Sequence, residues 1–153
     1  VRDFLALAFF LAVSCSAGWL GSLVTRPALD RWYLRLRKPA WTPPNWLFGP
    51  VWTVLYFLTG LAAWLVWREA GTGTWLTLYF LQLALNALWS ILFFGLRRPD
   101  LALADIMLLW MAIVATLSSF ARVDATAAWL LVPYLAWVSY AALLNWAFWD
   151  LNR

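Results

Sequence analysis

The sequence predicts an all-α membrane protein, a single domain over residues 1–153. Five transmembrane helices run up and down, and a partly helical lid joins the first two. Three observations lead there. The chain is 65% hydrophobic and 12% charged, half the charge of a soluble domain at about 25%, so its surface faces lipid. Five apolar runs, Phe4–Val24, Trp46–Trp67, Thr74–Leu96, Leu101–Ala121 and Ala125–Trp149, hold 21 to 25 residues each, where a crossing needs roughly 20. Their Leu, Ala, Trp and Phe show no strand-like alternation, which favours helices over a barrel. The predicted helices cover approximately 4–25, 45–68, 74–96, 101–121 and 126–150, with the lid at 26–44.

Connections of a few residues after the second, third and fourth runs predict antiparallel neighbours. Five spans do not fit the even inverted-repeat plan of many secondary transporters. An odd number of spans puts the termini on opposite sides. Arg26, Arg31, Arg35, Arg37, Lys38, Arg97, Arg98 and Arg153 then share one side, and Arg2, Arg68 and Arg122 the other. The positive-inside rule makes the lid and C-terminus cytoplasmic and the N-terminus external; a bacterial cell membrane is expected rather than an outer membrane. Cations placed for topology explain the net charge of +4 without nucleic acid. The single cysteine, Cys15, allows no internal disulfide, and histidine is absent.

In the first run, Ala12-Val13-Ser14-Cys15 faintly resembles a lipidation site, but apolar residues continue to Val24, as in an uncleaved helix. Ser14, Gly18 and Ser22 lie four apart and permit close helix packing, against either an internal neighbour or a second protomer. The stretch Trp32–Trp52 holds four Trp and four Pro. Prolines fix φ and bias their predecessors away from helix, which suits a stiff cover over the bundle mouth. Asn45 is a plausible helix cap.

Gly49, Trp52 and Tyr56 share one face of the second helix, and Gln82, Asn86, Trp89 and Phe93 one face of the third. Two amides in a charge-free span should point inward, for interhelical hydrogen bonds or, for Asn86, equally for a ligand. Asp105 is the only ionisable residue well inside a run. Its place in the first turns predicts an anchor to the helix dipole and to Arg97 and Arg98. Pro133 interrupts the fifth helix, beyond which Trp137, Ala141 and Leu144 share a face.

Of the 14 Trp, Trp46, Trp67, Trp75, Trp129, Trp146 and Trp149 sit at span ends, as interfacial anchors do. Trp52, Trp89, Trp110 and Trp137 lie deeper. At about 1.5 Å per residue, Trp52 and Trp89 lie about 10 Å below the lid face and Trp137 about 18 Å. Aromatic rings on three helices at overlapping depths can sandwich a planar π-system, with cations above for its carboxylates. A porphyrin fits, held through its ring: without His the usual axial iron ligand is missing. No metal site is expected, and nothing singles out Tyr33, Tyr134, Met107 or Cys15 as an iron ligand.

The motif Trp32-Tyr33-x4-Lys38-Pro39-x-Trp41-Thr42-Pro43-Pro44 resembles the TspO/MBR family of translocator and tryptophan-rich sensory proteins. Pro50-x-Trp52, Gln82-x3-Asn86-x2-Trp89, Phe93-Phe94-Gly95, Ala104-Asp105 and Pro133-Tyr134-x2-Trp137 extend the resemblance over the whole chain, with Ala141-x2-Leu144-Asn145 after them. It implies a five-helix protein, often a homodimer, that binds protoporphyrin or another tetrapyrrole and benzodiazepine-type ligands under the first loop. It needs no cofactor beyond porphyrin as ligand. The matching ligand-site residues are Tyr33, Trp41, Pro43, Gly49, Trp52, Asn86, Trp89, Phe93, Trp137, Ala141 and Leu144. Members are linked to tetrapyrrole regulation and stress responses. Trp52 and Trp137 match the pair assigned catalytic roles where light-dependent porphyrin degradation is proposed. No constellation for conventional acid–base or nucleophilic catalysis is visible. Sterol translocation is not supported, since Trp146 and Asp150 stand where the animal cholesterol motif has Tyr and a basic residue.

Overall fold

The computed structural model describes residues 1–153. Its helices are α1 (Arg2–Leu29), α2 (Trp32–Arg35), α3 (Asn45–Ala70), α4 (Thr74–Ser90), α5 (Pro99–Ala121) and α6 (Ala125–Asn152). A π-helical turn, Ile91–Gly95, prolongs α4. All but α2 are long and apolar enough to cross a membrane, α4 together with its π turn. Pro27 lies in the last turn of α1, which carries the helix past the expected residue 25. Pro44, extended at ψ 147°, takes the cap position before α3, so Asn45 is the first helical residue and makes no capping bond. Asp124 caps α6 by accepting from the backbone N–H of Thr126 at 2.8 Å and of Ala127 at 3.2 Å.

The five long helices close a ring in the order α1, α3, α6, α5, α4. Short connections led us to expect the second to fifth spans to be neighbours in turn, and α3 and α4 depart from this. Gly71, at φ +68°, ends α3, and the chain steps past α1, which packs against both helices. Small residues make that position possible. A Cβ on Gly60 would lie 2.9 Å from the Phe10 carbonyl, one on Gly21 3.0 Å from Ser90 Oγ, and one on Gly18 against the Tyr56 ring. Ser14 is buried and bonds Tyr79 at 2.6 Å. Ser14 and Gly18 of the small-residue stripe are therefore occupied inside the chain, while Ser22 bonds only its own helix.

The lid is tied down at several points. The backbone N–H of Arg37 donates to Asn152 Oδ1 and the Asn152 amide returns a bond to the Arg37 carbonyl, both at 2.9 Å. Tyr140 donates to the Trp41 carbonyl. These bonds seat the lid on the C-terminal half of α6. At the same end, Arg97 links α4 to α5 at φ +56°. A left-handed conformation is costly for a residue with a Cβ but mild for Asn. Arg97→Asn is expected to raise stability by about 0.5–1 kcal/mol, measured by denaturation in mixed micelles; no gain would show the turn is unstrained.

Candidate functional site

Under the lid, α3, α4 and α6 enclose an aromatic cleft. Tyr33, Trp52, Trp89, Phe93, Trp137, Ala141 and Leu144 line it, all expected from the sequence, together with Phe48, Phe94, Asn145 and Phe148. The π turn of α4 shifts the helical phase by one residue, and Phe93 and Phe94 are both buried. Trp89 stacks on Phe93 at 5.2 Å, and Trp52 on Tyr56 at 5.7 Å. Trp52 and Trp137 meet edge to face, centroids 6.4 Å apart at 88°. The two rings converge as the helix faces require, but they stand perpendicular rather than as parallel plates. The cleft holds only about 20 Å³ of free space, room for about one water.

Two polar atoms on its wall, Tyr33 Oη and Trp137 Nε1, are buried without hydrogen-bond partners. Lys38 lies over the Tyr33 ring at 4.7 Å and donates to the Tyr33 carbonyl at 2.6 Å. Burial, with Tyr140 nearby, pushes the Tyr33 phenol up to about 12, so it is a neutral donor at physiological pH, and burial lowers the Lys38 ammonium. Trp89 Nε1 donates to Asn145 Oδ1 at 2.9 Å, and Asn145 reaches on to the Pro99 carbonyl at 2.8 Å. This fixes one cleft wall to the start of α5.

Below the cleft, Asn86 is fully engaged with protein. Its Oδ1 accepts from Tyr56, and its Nδ2 donates to Tyr134 Oη at 2.8 Å. Tyr134 donates to Gln82 Oε1 at 2.8 Å, and Gln82 Nε2 to the Tyr79 carbonyl at 2.9 Å. Gln82 thus makes the expected interhelical bond. Asn86 belongs to this network rather than to the cleft wall. Gly49 lines a neighbouring groove with Trp52 and Trp89. Trp41 packs on Tyr140 at 5.6 Å on the lid surface, and Pro43 lies beside it in the chain; neither borders the cleft.

A family model described as TspO/MBR matches residues 9–150. The chain belongs to the TspO/MBR family. It is 42% identical to the tryptophan-rich protein TspO of Chlorobaculum tepidum, over 99% of this chain and 98% of that protein. It is 43% identical to the tryptophan-rich sensory protein of Cereibacter sphaeroides (94% and 89%) and 42% to the human translocator protein (97% and 90%).

Two local expectations for this TspO/MBR protein give way. Asp105 is buried with both carboxylate oxygens unpartnered, and Arg98 pairs instead with Asp100 at 2.8 Å. Asp105 is therefore not anchored by arginine: the Arg98 guanidinium is taken by the residue two places on. Trp75, expected as an interfacial anchor, is 4% exposed and packs between Phe10 and Phe120, donating to the Gly71 carbonyl at 2.9 Å. Trp46 and Trp129 face outward as anchors do. Trp110 also faces outward, its indole bonded to Ser139 at 2.8 Å. The additional wall residues carry a readable signal. Phe48 precedes Trp52 by four, Phe148 follows Leu144 by four, and Asn145 is a third amide in an apolar span.

Proposed function

We propose that this membrane protein binds a tetrapyrrole of the protoporphyrin or haem type in the aromatic cleft, in porphyrin sensing, transport or turnover and the stress response. The same seat takes benzodiazepine-type ligands. The lid and C-terminus are cytoplasmic, the N-terminus is external, and the working unit is a homodimer. One observation carries the reading. Tyr33 Oη and Trp137 Nε1 lie unpaired on the wall of one apolar cleft, where an unsatisfied buried polar atom costs about 1–3 kcal/mol. A ring system with polar edges relieves both. The guest must part the rings, and they have somewhere to go: Phe48, Trp52, Trp89 and Phe94 also border a groove of about 480 Å³. Lys38, above Tyr33, supplies a cation for a propionate.

Titrating detergent-purified protein with protoporphyrin is expected to quench indole fluorescence saturably. The double variant Trp52→Leu/Trp137→Leu should weaken the midpoint roughly tenfold, as expected for losing two aromatic contacts of about 0.5–1.5 kcal/mol each. An unchanged midpoint in a folded double variant would place the ligand elsewhere.

A second reading is light- and oxygen-dependent degradation of the bound porphyrin, with Trp52 and Trp137 as its catalytic pair. Their 6.4 Å separation lets both rings touch one macrocycle. Illumination should then bleach porphyrin absorbance in wild type and spare it in Trp52→Phe; equal bleaching in both rejects this role.

A further inference from the structure

The groove between α1 and α3 is much larger than the cleft and has its own chemistry. Its walls come mainly from α1 and α3, both long and apolar enough to cross a membrane, so a bilayer would lie against its exposed rim. Gly18 opens its floor over the Tyr56 ring, while Trp19 and Trp46 stand exposed at its edges. Its volume of about 480 Å³ lies within the roughly 300–1,000 Å³ of small-molecule sites. Five hydroxyl residues line it: Ser90 makes no hydrogen bond, Tyr56 donates to Asn86, and Ser22, Thr25 and Thr53 donate back to their own helices, to the Trp19, Gly21 and Gly49 carbonyls at 2.7–2.8 Å. Apart from that of Ser90, their protons are spent within the protein, so the wall offers an occupant little hydrogen-bond donation. That suits a hydrocarbon chain.

The lid-side mouth differs. Arg26 lines it and takes part in no ion pair. Asn45, also on the lining, starts α3 without a side-chain cap, so the positive end of that helix dipole adds to the arginine. An apolar trough ending in an unneutralised cation is complementary to one kind of molecule available in a bilayer.

We infer that the α1–α3 groove holds one acyl chain of an anionic phospholipid from the lid-side leaflet, its phosphate held by Arg26 at the start of α3. This site adjoins the aromatic cleft, and its occupation does not require tetrapyrrole binding. Phe48, Trp52, Trp89 and Phe94 border both spaces, so a seated chain also restricts how far the cleft rings can move.

Native mass spectrometry of the full chain, in micelles with equal phosphatidylglycerol and phosphatidylcholine, tests it. Wild type should retain one phosphatidylglycerol in preference to phosphatidylcholine. Arg26→Gln, at an exposed position, should reduce that preference about tenfold, as expected for a charge-assisted hydrogen bond. Ser22→Trp, which fills the trough, should lower retention of both lipids. Cys15, the only thiol, lines the groove, so N-ethylmaleimide should modify it more slowly with phosphatidylglycerol than with phosphatidylcholine alone. Equal retention of the two lipids by wild type, an unaltered preference in Arg26→Gln, or retention unaffected by Ser22→Trp would overturn the inference. So would a dimer that excludes lipid and dissociates in Ser22→Trp, because a second copy would then cover the groove.

Discussion

Gly60→Val is expected to destabilise the bundle by about 3 kcal/mol, the upper part of the usual range for overpacking. At this position the obstacle is backbone: a Cβ would sit 2.9 Å from the Phe10 carbonyl oxygen and 3.0 Å from the Leu11 Cα. Neither atom can rotate away, so α1 and α3 must separate. The same carbonyl accepts from Tyr79 at 3.2 Å, so separation also strains the bond holding α4 to α1. Gly49→Ala provides the control. Nothing lies within 4 Å of its Cβ, and replacing a helical glycine gains up to about 1 kcal/mol. Denaturation of both variants in mixed micelles checks the pair; a Gly60→Val protein as stable as wild type would mean the α1–α3 contact is looser than its geometry.

Asn86→Leu is expected to cost about 2–3 kcal/mol, above the roughly 0.6 kcal/mol average for one interhelical bond in a membrane. The excess arises because the Tyr56 hydroxyl loses its acceptor while buried among α1, α3 and α4, and Tyr134 loses an incoming donor. Removing the stranded hydroxyl as well should help: Tyr56→Phe on the Asn86→Leu background is expected to recover about 1 kcal/mol. Additive losses in that cycle would show the two residues are not coupled. A variant that keeps its stability but loses porphyrin affinity would instead return Asn86 to the ligand site.

These two positions mark what was legible beforehand. The inward amides and the deep rings on three helices follow from helical periodicity alone, and seven of the expected residues border one cleft. Asn86 shares that periodicity yet lies a turn too deep, where tyrosines from α3 and α6 converge on it. Trp41 and Pro43 fall in the lid motif but outside the cleft, Trp41 against Tyr140, which a motif cannot distinguish from a place on the cleft wall. Phe148 was missed because its stripe was ended one turn early, and Phe48 and Asn145 because each lies one residue to the side of an expected position, Gly49 and Leu144.

The sequence by itself determined the number of spans, their approximate ends and the place of the lid. Hydropathy, proline and charge act over one or two dozen contiguous residues, and a bilayer reads them locally. Only the tertiary structure decided the ring order, with α1 beside both α3 and α4. That order depends on glycines at Gly18, Gly21 and Gly60 meeting partners 30 to 70 residues away. The perpendicular meeting of Trp52 and Trp137, the unpartnered carboxylate of Asp105 and the α1–α3 groove ending at Arg26 have the same origin. Each depends on which side chains from different helices reach one point, and helical phase within a single span does not specify that.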